Sequence, residues 1–546
     1  EFQHIPIIVM QTIDDSKFLI QQDIEEIHRS FQVLHLMALN RAKIRKLVSK
    51  YNDIKEIGEE DAVVTKLVSD IDALNMHRTP MNCLTLLKIS EKYFDESPVN
   101  RTKMIEMILF ILFNVDEYPL YKDKPDAKDV EYVVGHYAEK MLRENIYTFT
   151  REGFIADIHS YCVDKLIALD VQSVFELFLQ NSIIVMYGTE FRFRFSYWII
   201  YFAAKRMHQN TSFKDYIFSE NRYAAYPEIM EFYTGIDRSR VDAMRKVLSD
   251  LADISTEVQE KAKIPSEMNP YDHIKWKSSE ESINHIKKEL NNDVQNSALP
   301  DSVKDRYADK DYDIIKPYHQ EIEQILNKYS LKLLWQSVKA ASRVLRNSDY
   351  VEPNLKRELL SEILRAWNHI SKILIALLPI LSKEGAARYA GARFVVSEEL
   401  GDTAEKRFRL ILINIPGNIV RWFRDDIYSI KMGPLLFDIA QSSPDRIGKH
   451  ELMLLVASVR PKGWKEAVQK YVDSVSSDSY YLSDMVKTLQ EQYEYSYANQ
   501  ADLTDLKYLI KHIYSKHLYG GHILPLIDKN IKNVSNDVIP VRNVVD

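Results

Sequence analysis

The chain has 546 residues, 46% hydrophobic and 28% charged, which fits several well-cored globular units and excludes collagen-like, mucin-like and disordered chains. Only 14 positions are glycine, so turns that need positive φ are scarce and helix is the expected majority. Lys+Arg 72 against Asp+Glu 79 leaves a net charge of −7, spread along the length, with no basic footprint for nucleic acid or an anionic membrane surface.

The opening run Ile5-Pro6-Ile7-Ile8-Val9-Met10 is β-branched and reads as a buried strand, in a chain that starts at Glu1 without a methionine. A lone strand has nothing to pair with, so residue 1 reads as a cut point and residues 1–40 as the edge of a sheet lying upstream. Phe31 to Leu36 alternates apolar and polar residues like a second short strand. From Arg41 the apolar period becomes helical, predicting helices over about Arg41–Tyr51, Glu59–Leu74, Pro80–Phe94 and Arg101–Phe113. Pro80 suits a first helical turn and Asn100 a helix cap. This helical unit spans 41–115, and the polar, proline-bearing Asp116 to Pro125 reads as a connector.

The next unit, 126–208, opens with Asp126 capping a helix to about Glu144, Thr150 one to about Ile167, and Asp170 a third to about Asn181. Ser182 to Tyr187 reads as a strand, Gly188-Thr189 as a tight turn and Phe191 to Arg194 as the return strand. Three helices and a hairpin predict a winged helix. Ser196 to Met207 then returns to helix, apolar nearly all round and therefore buried. From about residue 212 to 546 only helical periodicity remains. It is broken at Pro227, Gly235, Asn291 to Lys310, Pro353, Pro379, Gly385 to Glu399, Pro416-Gly417, Pro434, Pro461 to Gly463 and Gly520-Gly521. Stacked helix pairs in a superhelical array fit this spacing. Within it Ala392 to Val396 reads as strand, while Leu410 to Ile415 fits strand or buried helix.

Chemistry is sparse. A phosphate-cradling loop needs a glycine-rich turn ending in Gly-Lys-Ser/Thr, and neither Gly385 to Gly391 nor Gly448-Lys449-His450 has that form. No catalytic residue is assigned to this chain. His512, His517 and His522 are spaced about 140° apart around a helix, which suits no shared metal. The longest apolar run, Ile373 to Leu381, contains Pro379 and is too short to span a bilayer. Cys83 and Cys162, the only cysteines, lie in apolar helical patterns and read as buried hydrophobes in a reducing cytoplasm.

Two constellations stand out: His77-Arg78-Thr79-Pro80, where a helix ends and another begins at a proline, and Glu190 to Ala204, an aromatic hairpin running into Tyr201-Phe202-Ala203-Ala204. Taken singly they read as a helix–helix turn and as core packing. Together they resemble the NACHT branch of the STAND NTPases, signal-transduction ATPases related to the NOD-like immune receptors, over roughly residues 1–240. The resemblance implies a mainly α chain: the end of an α/β NTPase sheet, a short helical domain, a winged helix and an α-helical sensor domain over 212–546. It also implies that Pro80, with Arg78 beside it, faces adenine, and that the winged helix closes over ADP. The family's phosphate-touching histidine falls at Phe195, which has no donor, so Arg194 or Arg192 is left to take its part. The family's sensor arginine falls near Gln11-Thr12, and its usual glycine two residues before the proline is Arg78.

On this reading the chain is the cytoplasmic regulatory half of an ATPase whose ATP/ADP and Mg site lies upstream, in the setting of antiviral defence. A protein ligand, viral in that setting, would bind the helical array, open the lid and drive homo-oligomerisation and effector activation. The alternative is a non-enzymatic helical scaffold with a winged helix that binds a partner. DNA contact is disfavoured, because the third helix, Val171 to Asn181, carries no Lys or Arg and holds Glu176.

Overall fold

The computed structural model describes residues 38–74, 76, 78–113, 125–265, 268–276, 286–287, 290, 330–389, 392–395, 403–442, 445–496, 498–519 and 530–542. The strands read at Ile5–Met10 and Phe31–Leu36, Gln11-Thr12, most of the connector, the 291–310 stretch, His77, Gly520-Gly521 and His522 lie outside them. Helices α1 (Arg41–Lys55), α2 (Glu60–Ala73), α3 (Pro80–Lys92) and α4 (Arg101–Phe113) pack on one another. Their starts follow the side chains: the Asn40, Glu59, Thr79 and Asn100 side chains accept from backbone N–H groups three residues on.

Helices α5 (Ala127–Glu144), α6 (Arg151–Lys165) and α7 (Val171–Gln180) follow, capped by Asp126, Thr150 and Asp170. Strands β1 (Ile184–Tyr187) and β2 (Glu190–Phe193) pair antiparallel, with Ile184 opposite Phe193 and Tyr187 opposite Glu190. Gly188 takes φ 62° in the turn between them. Next come α8 (Ser196–Gln209), α9 (Thr211–Phe218), α10 (Pro227–Ile236) and α11 (Val241–Ala262). After residue 330 lie α12 (Leu331–Asn347), α13 (Pro353–Glu384), a second antiparallel hairpin of β3 (Ala386–Tyr389) and β4 (Ala392–Val395), and α14 (Ala404–Ile427). The chain continues as α15 (Gly433–Ser442), α16 (Arg446–Val459), α17 (Trp464–Ser474), α18 (Tyr480–Tyr495) and α19 (Gln500–Tyr519). One continuous hydrophobic core runs from Ile44 to Ile513.

Helix α13 is long and apolar enough to cross a membrane, but 78% of its most apolar window is buried inside the protein, the environment of a core helix. Cys83 and Cys162 are buried. Pro227 and Pro353 stand in first helical turns, and Gly385 and Gly463 take positive φ at helix boundaries.

Two expected breaks do not occur: Pro379 lies inside α13 and Pro416-Gly417 inside α14, whereas α10 ends at Ile236, one residue after Gly235. Leu410–Ile415 is accordingly helix. Pro416 has no N–H, which would orphan the carbonyl of Leu412 four residues back. The Tyr271 hydroxyl donates to that carbonyl at 3.0 Å, and the Tyr480 hydroxyl to the neighbouring Ile413 carbonyl at 2.8 Å. The two tyrosine rings stack with centroids 4.5 Å apart. The helix continues through its proline because donors from outside replace the one it lacks. Tyr271→Phe should therefore cost about 1–3 kcal/mol by leaving a buried carbonyl unpaired. With Pro416→Ala in the background the loss should shrink, because residue 416 then supplies the N–H; chemical denaturation of the four proteins measures this cycle.

A buried acid predicts a pH dependence. Glu451 on α16 is 0% exposed and burial pushes its carboxyl from 4.5 up to about 8, although the Ser371 hydroxyl bonded to it opposes the shift. That bond is 2.6 Å long. A carboxyl raised on folding contributes stability that is whole below about pH 4.5 and lost as pH rises towards 8. Glu451→Gln, which is neutral throughout, should flatten the decline in melting temperature between pH 5 and pH 8; an identical decline in both proteins would place the pH dependence elsewhere.

Candidate functional site

Aromatic packing assembles the unit formed by α5 to α8 and the first hairpin. The rings of Phe149, Phe154 and Tyr137 meet within 5.7 Å of one another. Phe175 meets Phe154 at 5.6 Å and Phe191 at 5.1 Å. Phe178, Phe193 and Phe202 close the other side. Backbone bonds of 2.9 and 2.8 Å between Phe149 and Phe191 tie the α5–α6 loop to the hairpin. Helix α8 is buried over most of its circumference, yet it carries Lys205 and Arg206 inward. Each is neutralised: Arg206 by Glu139 at 2.8 Å, Lys205 by Glu106 at 2.6 Å and Glu131 at 3.3 Å. Burial would raise the Glu106 carboxyl, but Lys205 holds it below its ordinary range.

The four residues singled out for a nucleotide occupy two places. Pro80 is exposed at the first turn of α3, with Met81 46% and Leu84 39% exposed beside it. Arg78 precedes it and is paired with Asp72 at 3.1 Å. Arg194 and Phe195 stand where β2 passes into α8, the Arg194 guanidinium lying 5.4 Å from the Phe195 ring centroid. Phe195 stacks on Tyr197 at 5.3 Å, and Arg192 lies over the Tyr187 ring at 4.1 Å. These bonds tie each pair to its own unit. The histidines of α19 go separate ways, His512 to Asp473 at 2.8 Å and His517 to the Ser477 carbonyl at 2.9 Å. Among the described residues no His, Cys, Asp and Glu group could hold a metal ion.

The structure adds a charged node that the sequence reading missed. Glu231 on α10 is 2% exposed and faces Arg346 and Arg343 of α12, the latter at 3.5 Å, and Arg101 of α4 at 3.7 Å. Arg343 also reaches Glu228 at 2.7 Å and Asp426 of α14 at 2.6 Å. Burial works to raise the Glu231 carboxyl, yet Arg346, Arg101 and Arg343 together pull it down to about 2. A signal existed: two arginines three apart within the apolar Leu331 to Asn347 pattern require a buried partner.

Helix α4 links these parts. Its first turn meets α10, Glu106 meets α8, and Phe113 meets Phe178 of α7 with centroids 6.1 Å apart. Residues 147–203, from the α5–α6 loop through the hairpin into α8, match the family model described as Novel STAND NTPase 4. The match makes this segment similar to a family of STAND NTPases. The curated proteins and the solved structures contain no match.

The aromatic core gives a direct test of this unit. Trp198 is 5% exposed and its ring lies 6.4 Å from that of Phe202. Trp198→Ala should cost about 3–5 kcal/mol, as large-to-small core changes do. A melting midpoint equal to that of the parent would place the ring outside the core.

Proposed function

We propose that this chain is the regulatory and sensor half of a NACHT-type STAND NTPase, in which α5 to α8 and the first hairpin form a winged-helix lid. The array after α10 takes a protein ligand, viral in an antiviral-defence setting, and ligand binding opens the lid. Opening then permits homo-oligomerisation and activation of an effector in the cytoplasm. The nucleotide, ATP or ADP with Mg, belongs to an upstream module, with Pro80 and Arg78 on the adenine side and Arg194 and Phe195 on the phosphate side. The observation that carries this reading is the family match, which falls on α6, α7, the first hairpin and the first half of α8. The exposed apolar turn at Pro80, Met81 and Leu84 supports it as a surface suited to a flat apolar ring.

A ligand acts as a switch only through differential affinity, and moving an equilibrium from 1:99 to 99:1 takes about 5.5 kcal/mol. A long array can supply that through many modest contacts. In the protein joined to its nucleotide-binding module, Phe195→His restores a donor and should tighten ADP by about 0.5–3 kcal/mol. Pro80→Ala should weaken both nucleotides. Calorimetric titration of ADP and ATP decides: unchanged ADP affinity in Phe195→His removes the hairpin from nucleotide sensing and favours the scaffold alternative.

A further inference from the structure

The end of α2, the first turn of α4, α10 with the loop after it, the end of α12 and the turn after α14 wall a cleft of about 460 Å³ that opens to solvent. Two of its walls are set close together. The Asn100 amide donates to the Gly235 carbonyl at 3.1 Å. A Cβ at Gly235 would stand 2.0 Å from the Thr102 hydroxyl, so only glycine admits α4 this near to α10.

Charge in the cleft is lopsided. Four cations, Arg101, Arg238, Arg346 and Lys431, line it against two carboxylates, Glu231 and Asp349. Each carboxylate is therefore shared. Glu231 faces Arg346 and, at 3.7 Å, Arg101, while one oxygen of Asp349 takes both Arg238 at 2.6 Å and Lys431 at 2.7 Å. Glu228 and Asp426 lie behind the lining and are engaged by Arg343, so an excess of positive charge remains on the cleft side. Burial, reinforced by Arg101 and Arg343, lowers the Arg346 guanidinium from its ordinary range although Glu231 opposes the shift. A neutral donor stands on the same wall: the Ser429 hydroxyl is buried and meets no hydrogen-bond partner among the described residues, whereas buried polar groups are ordinarily paired.

We propose that this cleft is a binding site for a phosphate-class oxyanion, free or carried on a small molecule, held by Arg238, Lys431 and the Ser429 hydroxyl with Arg101 and Arg346 behind them. An excess of two positive charges in the lining matches a dianion and repels a metal ion. Guanidinium and ammonium groups are the side chains suited to phosphate oxygens, the first as a planar fork and the second as a point charge. Arg238 is held in place in advance, with its guanidinium 4.6 Å from the Tyr350 ring centroid and bonded to the Tyr350 hydroxyl at 2.8 Å. Less ordering is then required when the anion arrives. The site shares no lining residue with Pro80, Arg78, Arg194 or Phe195 and does not require the nucleotide reading.

Calorimetric titration of the whole chain with inorganic phosphate, at an ionic strength held constant with chloride, tests the site. Saturable binding is expected, together with a melting midpoint that rises with phosphate concentration. Lys431→Gln, at a side chain 52% exposed, should weaken phosphate about tenfold, the loss of one hydrogen bond to a charged group. Asp349→Asn removes the carboxylate that competes for Arg238 and Lys431 and should tighten phosphate about tenfold. A general loss of folding cannot move the two variants in opposite directions. O-phosphoserine separates the sources: binding tighter than that of inorganic phosphate assigns the site to a phosphate carried on an organic molecule, and weaker binding assigns it to the free anion. The site is overturned if phosphate raises the midpoint no more than chloride does, if Lys431→Gln leaves phosphate affinity unchanged, or if Asp349→Asn leaves it unchanged or weakens it.

Discussion

A single buried carboxylate organises the middle of this molecule. Glu231 cannot be ionised at 2% exposure without cations beside it, since a buried charge is tolerated only when paired and hydrogen-bonded. Its cations come from α4 and α12, and α12 in turn binds Asp426 of α14 through Arg343. The requirement that one charge be neutralised thus fixes the mutual positions of four helices distant in sequence. Such a cluster contributes less to net stability than apolar packing would, because desolvation offsets most of the attraction. Its contribution is geometric: guanidiniums accept few orientations around a carboxylate, so the helices that carry them have one arrangement in which all are satisfied.

Two kinds of interface therefore meet at α4. Toward α7 the contact is ring against ring, non-directional and tolerant of small rotation. Toward α10 it is a cap amide, a guanidinium and a glycine-admitted close approach, all directional. A helix gripped softly at one end and by discrete bonds at the other has a defined way to move. In the aromatic unit carrying the STAND match, by contrast, most rings meet several others.

Local signals were the legible part of the chain. Asn100, Asp126, Thr150 and Asp170 begin their helices with the expected cap bonds, and Gly188 turns the hairpin where a turn was read. These depend on residues within four positions of one another, so periodicity and capping chemistry suffice. What stayed hidden depends on distant partners. Pro416 reads as a break because nothing near it shows that Tyr271 and Tyr480 supply hydrogen bonds from elsewhere. Gly235 reads as a break, and α10 does end one residue after it, but nothing near it in sequence shows that Thr102 of α4 packs against it. Of the candidate site, the hairpin and the Pro80 turn were readable as shapes, while the Glu231 node joins residues separated by more than a hundred positions and leaves only the oddity of arginines on an apolar face.

The bridged proline in α14 bears on the order in which the protein is made. One of the carbonyls near Pro416 receives its bond from a residue 141 positions earlier, the other from one 67 positions later. Chain emerging from a ribosome through Ile427 already holds Tyr271 but not Tyr480. The proline-bearing helix can thus be only half secured until the α18 segment is synthesised, some seconds later at ordinary elongation rates of about 5–20 residues per second. During that interval the exposed Ile413 carbonyl is hydrated, and α14 forms a provisional surface onto which α18 later docks.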